Sequence, residues 1–264
     1  MPVTTGVIAD DFTGATDIAS FMAEQGWRVA LLPGMPDAAQ RWDEEVDAIV
    51  ISLKSRSLPA DQAIDQSLRC WQWLRNAARA QQIYFKYCST FDSTPDGNIG
   101  PVSDALMDAM HAPYIIHCPA LPQNGRTVIH GHLFVNGVLL NESGMEKHPL
   151  NPMTDANLIR LLAAQTTRTV GRIDLSTIQK GVEAVTHALD RYQSEGIRHV
   201  IVDTFSEADL QTLAQALRRA PLLAGGSGLG GALAACAAPQ RGGEWRILSR
   251  CRQKRWFFPE VAPP

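Results

Sequence analysis

Gly6-Val7-Ile8-Ala9-Asp10-Asp11-Phe12-Thr13-Gly14-Ala15-Thr16-Asp17 starts as an apolar run and breaks into paired carboxylates, a hydroxyl and a glycine. Gly6 to Ala9 suits a short buried strand, and from Thr13 to Gln25 the residues Ile18, Phe21 and Met22 recur at helical spacing. The two acids therefore stand at the carboxyl end of a first strand, the edge where open α/β sheets bind ligands. Helix capping also accounts for one of them, since a carboxylate at that position accepts backbone N–H bonds and complements the helix dipole.

Outward from this junction, apolar β-rich runs recur at Val46–Leu53, Ile83–Tyr87, Tyr114–Cys118, Arg198–Val202 and Pro221–Ala224. Helical patterns fall between several of them, at Asp61–Gln82, Gly100–Met110, Asp155–Gln165, Ser176–Gln193 and Glu207–Ala220. Such alternation predicts an α/β fold with a mainly parallel open sheet and helices on both faces. One stretch breaks the rhythm: Thr127–Val135 meets Val138–Leu140 across Asn136-Gly137, the dipeptide favoured in a type I′ turn, so an antiparallel hairpin is expected within or beside the sheet. Residues 1–232 read as one α/β domain. Residues 233–264, rich in Arg, Trp and Pro without clear periodicity, read as an irregular tail.

The 264 residues, 45% hydrophobic, are enough for one large core. A net charge of −3 supplies no broad basic field, which argues against nucleic acid or an anionic membrane surface as partner. Cys70, Cys88, Cys118, Cys236 and Cys251 are scattered singly, which argues against a zinc site or a disulfide framework. No basic segment precedes an apolar stretch at the N-terminus, and no eighteen apolar residues run together. A soluble cytoplasmic protein is the expectation.

Polar groups gather after each strand. Lys54-Ser55-Arg56-Ser57 sets two cations two residues apart, a pattern that clamps a carboxylate by a planar fork and a point charge and also fits a solvated loop. Lys86-Tyr87-Cys88-Ser89-Thr90-Phe91-Asp92-Ser93-Thr94 surrounds one carboxylate with hydroxyls, and turn chemistry explains only the following Pro95-Asp96-Gly97. Arg126 follows another strand. His130-Gly131-His132 places two imidazoles on one side of the expected hairpin with no third ligand near in sequence, so hydrogen bonding is preferred to a metal and no metal site is assigned. Thr154 or Asp155 is expected to cap the helix that follows the proline-rich loop His148–Met153. Gly225-Gly226-Ser227-Gly228 follows a strand and opens a helix, an arrangement that brings backbone N–H groups to an anion but lacks the lysine of a P-loop and equally fits a tight turn.

Together Ala9–Ala15, Leu53–Ser57, Lys86–Thr94, Gly125-Arg126, Gly131–Phe134, Asn141–Met145, His148–Asp155 and Gly225–Leu229 resemble, in order, the N-terminal, sugar-binding half of the four-carbon acid sugar kinase family. The resemblance covers residues 5 to 232. It implies ATP-dependent phosphorylation of a hydroxyl on a four-carbon sugar acid, 3-oxo-tetronate to its 4-phosphate being the best match. Family members continue past the glycine turn into an ATP-binding domain where this chain stops, so ATP and Mg²⁺ are expected mainly from that missing domain. For such a reaction Lys54, Arg56, Lys86 and Arg126 are expected to contribute to holding the substrate carboxylate and Asp10, Asp11 and Asp92 to bind its hydroxyls, one of these acids taking the proton, with Asp11 the choice. Gly225, Gly226, Ser227 and Gly228 would lie near the transferred phosphate. The expected partner is a small sugar acid, with homo-oligomerisation left open. A non-catalytic sugar-acid-binding module is the competing reading, and a lyase of small acids a more distant one.

Overall fold

Every neighbouring pair in the main sheet is parallel. In a computed structural model, which describes residues 3–37 and 41–237 and the backbone of 244–247, twelve strands and eight α-helices are present. The strands are β1 (Thr5–Ala9), β2 (Arg28–Pro33), β3 (Ala48–Ser52), β4 (Gln82–Lys86), β5 (Ile115–Cys118), β6 (Arg126–Ile129), β7 (His132–Val135), β8 (Val138–Leu139), β9 (Val170–Ile173), β10 (His199–Val202), β11 (Leu222–Gly225) and β12 (Glu244–Ile247). The helices are α1 (Phe12–Glu24), α2 (Ala60–Asn76), α3 (Ile99–Met110), α4 (Leu158–Ala163), α5 (Leu175–Gln179), α6 (Val182–Ser194), α7 (Glu207–Leu217) and α8 (Ser227–Cys236). Nine strands form one sheet in the order β12-β2-β3-β1-β4-β11-β5-β10-β9, and β6-β7-β8 form a separate antiparallel sheet.

Helices α1, α8, α7 and α6 pack in succession on one face and α2, α3 and α4 on the other. The central strands β1, β3 and β4 are buried at every position, which is why they read as unbroken apolar runs and not as alternating ones. From β1 the chain crosses to β2 at one side, whereas β3 crosses back over β1 to β4, so the connections diverge between β1 and β4. Such a switch point opens a crevice at the carboxyl ends of the strands. The register sets Ala9 level with Ser52 on β3 and Lys86 on β4, and Gly225 on β11 level with Lys86. The residues leaving these strands therefore emerge at one height.

Several local expectations are corrected. The helix expected over Asp61–Gln82 ends at Asn76: Arg79 turns into the left-handed region, φ 55°, and Gln82 is needed as the first residue of β4. The helix expected over Ser176–Gln193 is split into α5 and α6 at Gly181, φ 100°. Asn157, not Thr154 or Asp155, caps α4, and Asp155 is engaged by Arg160 instead. The run Thr127–Val135 is itself a hairpin. His130 and Gly131 carry φ 50° and 72° and make a turn of the same kind as Asn136-Gly137, at 51° and 84°. His130 thus sits in a turn and His132 on β7, which removes the expected strand alternation that would have aligned the two rings. Strands β2 and β9 had no counterpart among the expected runs. Of the expected tail, 233–264, the described parts are the end of α8 and β12, a strand parallel to β2; the rest, and Cys251, lie outside the described residues. Among those, Cys70, Cys88, Cys118 and Cys236 are free, and no helix is long and apolar enough to cross a membrane.

Candidate functional site

Asp10 leaves β1 with its backbone already fixed: its N–H donates to the Lys86 carbonyl at 3.0 Å, and its carbonyl accepts from Ser55 and Arg56 N–H at 3.0 and 3.3 Å. The loops after β1, β3 and β4 are thereby laced together. Across them lies the Arg56 guanidinium. Its Nε and one terminal nitrogen donate to both oxygens of Asp10 at 2.8 and 2.7 Å, the same nitrogen stands 3.0 Å from Asp11 Oδ1, and the other donates to Asp92 Oδ2 at 3.1 Å. One planar fork spans three carboxylates from two loops, a geometry that a lysine cannot reproduce.

These carboxylates differ in what is left over. Both oxygens of Asp10 are taken by Arg56. Asp92 gives Oδ2 to Arg56 and Oδ1 to the Asn151 side-chain amide at 3.0 Å. Asp11 caps α1, accepting from Gly14 N–H at 2.8 Å on the same Oδ1 that faces Arg56. Its Oδ2 is the one carboxylate oxygen of the three with no partner among the described residues, and its side chain is the most open, 29% exposed against 6% and 10%.

Lys86 ends β4 and is buried; its Nζ donates to the Tyr87 carbonyl at 2.8 Å. A Cβ at Gly14 would stand 2.5 Å from Asp11 Oδ1 and 2.9 Å from Lys86 Nζ, so only glycine lets the start of α1 close over both groups. Burial pulls the Lys86 ammonium below its ordinary range, and Asp10, Cys88, Asp17 and Asp11 pull the other way. Burial also pushes the Asp10 carboxyl up against the pull of Arg56 and Lys86. On Arg56 the carboxylates overcome burial and hold the guanidinium protonated more firmly than in water.

Three residues to which the sequence reading gave no role hold the loops in place. Asn98 donates its amide toward the carbonyls of Ser55, Arg56 and Leu58 at 2.9, 3.2 and 2.8 Å, which fixes the backbone that presents Arg56. Gln165 binds Ser93 Oγ, the Thr94 carbonyl and Gly100 N–H, which ties down the Asp92 loop. Phe91, the residue before Asp92, adopts φ 60°, rare for a bulky side chain, and its ring packs edge-on to Tyr87 at 5.5 Å. Asn151 comes from the polar loop expected to line a pocket. In the same loop His148 Nδ1 accepts from Asn151 N–H, so its proton resides on Nε2.

The other sequence candidates fall around this core in different ways. Lys54 is exposed, carries no ion pair among the described residues, and lines a cleft of about 1020 Å³ with Phe12, Gly34, Met35, Asp61 and Arg69. That cleft opens at the ends of β2 and β3, beside the acid cluster and not over it. Arg126 is on β6, donates to the Asn124 carbonyl, and is not joined to the cluster by any hydrogen bond or ion pair. Gly225–Gly228 border the cluster through β11 but are buried, and the Ser227 hydroxyl is given to Asp17 on α1.

Comparison with known proteins gives the family and the fold. A family model described as a sugar-binding N-terminal domain matches residues 5–233. The 3-oxo-tetronate kinase of Escherichia coli K12 is 51% identical over 93% of this chain and 62% of its own length. A crystal structure of a Haemophilus influenzae protein superposes with a TM-score of 0.85 at 50% identity, covering 88% of this chain and 56% of its own. A Bordetella bronchiseptica protein, solved with bound citrate as a domain-swapped dimer, gives 0.73 at 26% identity over 89% of this chain and 57% of its own. The chain spans roughly half to three-fifths of the length of the curated relatives it matches. It belongs to the sugar-binding N-terminal domain family, that of the four-carbon acid sugar kinases.

Proposed function

We propose that this chain is the sugar-acid-binding half of an ATP-dependent kinase that phosphorylates a hydroxyl of a four-carbon sugar acid. The acceptor is read as 3-oxo-tetronate and the product as its 4-phosphate, by the name its relatives at about 50% identity carry. The observation that carries the reading is Asp11: one oxygen is pinned by Gly14 N–H and Arg56, and the other is open at the strand-end crevice. A hydroxyl placed there would donate to Oδ2; as its oxygen bonds to the γ-phosphorus of ATP, the bond from phosphorus to the departing ADP oxygen breaks, and the hydroxyl proton passes to Asp11 Oδ2. Positioning and charge stabilisation are what phosphoryl transfer asks of a protein.

Arg56 acts, on this reading, as the bracket that keeps three carboxylates preorganised, since nearly all its donors are used within the chain. The substrate carboxylate then falls to Lys54, a cation with no ion pair among the described residues, beside the cluster. Bound citrate in the Bordetella relative supports a small polyacid as the kind of ligand this fold accepts, and the domain-swapped form of that protein supports self-association. Asp10, Asp11 and Asp92 surround a guanidinium, so they do not fit Mg²⁺ as well. ATP supplies the phosphoryl group, and we assign it and its Mg²⁺ to the remaining length of the relatives.

Calorimetry with a four-carbon sugar acid, followed by an ATP-turnover assay on the same sample, tests this. Binding that is lost in Lys54→Ala supports the reading. Heat from this chain, with product only once the remaining length of a relative is added, is the expected result; heat with no product even then points to a binding module, product without nucleotide points to a lyase, and no heat from any four-carbon acid overturns it.

A further inference from the structure

His148 stands at the edge of the acid cluster with one ring nitrogen fastened and the other open. Its Nδ1 accepts from Asn151 N–H at 3.0 Å, with Leu150 N–H farther off at 3.4 Å, and lies 3.9 Å from Asp92 Oδ1. Asn151 in turn gives its side-chain amide to that same Asp92 oxygen. Pro149 and Pro152 stiffen the loop, and the N–H groups of Met153 and His148 both donate to the Met145 carbonyl, at 3.0 and 3.1 Å. The ring is therefore held from the backbone side and set at one end of the row Asp92, Arg56, Asp11.

Nε2 is the atom left over. It has no partner among the described residues, is open to solvent, and belongs to a side chain 30% exposed. Because Nδ1 takes the Asn151 N–H, the hydrogen of the ring is on Nε2, and a second proton on the ring would not remove it. Accepting a backbone N–H is work that an asparagine or aspartate does in many turns. What the imidazole adds is a donor on its far side.

A donor is what the cluster lacks. Asp10, Asp11 and Asp92 offer acceptors, Arg56 spends nearly all its N–H groups on them, and Lys86 Nζ is buried and bonded to the Tyr87 carbonyl. A hydroxyl of a sugar acid suits such a wall because it brings its own proton. A ketone oxygen only accepts, and against carboxylates alone it loses its water partners and gains none.

We propose that His148 is a substrate-binding residue that selects the keto form of the acid, its Nε2–H donating to the ketone oxygen while Asp11 takes the hydroxyl on the neighbouring carbon. The preferred substrate class is then a four-carbon keto acid over the trihydroxy acid of the same length. This rests on the sugar-acid reading above and adds to it the group that reads the oxidation state of the third carbon.

Calorimetry compares freshly prepared 3-oxo-tetronate with threonate, on the parent chain and on His148→Asn, whose side-chain oxygen keeps an acceptor for Asn151 N–H. Affinity for the keto acid is expected to fall about tenfold in the variant and that for threonate by less than about twofold, since its hydroxyl turns to donate to a carboxylate instead. Equal losses for both acids assign His148 to loop structure alone and overturn the proposal, as do two unchanged affinities. Imidazole ¹⁵N NMR on the parent chain needs no variant: the His148 Nε2 signal is expected to move on adding the keto acid and to move far less with threonate. The same response to both, or to neither, overturns it. If the parent binds neither acid, the sugar-acid reading falls and the selection with it; if it binds both and His148→Asn keeps their ratio, only the selection falls.

Discussion

Two strand ends of this molecule set an arginine against buried or partly buried carboxylates, and they come out differently. After β10, Asp203 accepts from Gly131 N–H on one oxygen and from His130 N–H, Leu175 N–H and the Arg172 guanidinium on the other, at 2.6 to 3.2 Å, with no exposed surface. It fastens the turn between β6 and β7 to the main sheet, beside the backbone bridge from Val128 to Thr204. After β1, β3 and β4, Arg56 binds three carboxylates and leaves Asp11 with an open oxygen at the surface. The residue types are the same. What separates a fastener from a site is whether any hydrogen-bonding capacity is left for something else.

The largest expected effect is at Arg56. Arg56→Ala leaves three carboxylates facing one another without their bracket, and losing one partner of such a buried set costs about 3–5 kcal/mol. Urea denaturation is expected to show a loss of that size, with no recovery in Arg56→Lys because a point charge cannot span the three acids. Equal stability of the lysine variant breaks the account of the fork.

Asp203→Asn comes next. It replaces one of the two acceptor oxygens by a donor, which leaves at least one of the four donors unpartnered, and is expected to cost about 2–3 kcal/mol, with sugar-acid affinity unchanged once the chain is folded. A variant as stable as the parent that no longer binds would move Asp203 from fastener to site.

A milder probe is pH, which leaves both arginines charged. Burial, then the neighbouring His199, depresses the His117 pKa in the folded chain, so the unfolded chain binds more protons below its own histidine pKa of about 6.5. Stability from this group is therefore present above about pH 6.5 and falls as pH drops, by up to about 1.4 kcal/mol per pH unit. Thermal melts between pH 7 and 5 are expected to show this, with a flatter profile in His117→Gln; an identical profile assigns the acid sensitivity elsewhere.

The smallest stability change belongs to Asp11→Asn. The amide oxygen keeps the helix cap, so the cost is expected to stay under about 1 kcal/mol, while sugar-acid affinity falls at least tenfold. Unchanged affinity on calorimetry would remove the open oxygen from the site and with it the distinction drawn above.

Much of this was legible in advance because it is local. The strand at Gly6–Ala9, the helix after Asp11, the Asn136-Gly137 turn and the central strands follow from apolar period and turn chemistry. The gathering of Asp10, Asp11, Arg56, Lys86 and Asp92 was legible only as polar groups after strands. Asn98 and Gln165 were not, because a buried amide bonded to backbone carbonyls leaves no pattern along the chain. His117 and His199 were hidden inside runs read as plain apolar strands.

By itself the sequence determined the α/β alternation, the acid-rich first strand end and the family, since each is written in neighbouring residues. Tertiary structure alone decided which charges neutralise one another and which atom remains open. Strand order and register set those distances. In a parallel sheet, residues 36 to 46 positions apart come within hydrogen-bond reach only when crossovers bring their strands side by side.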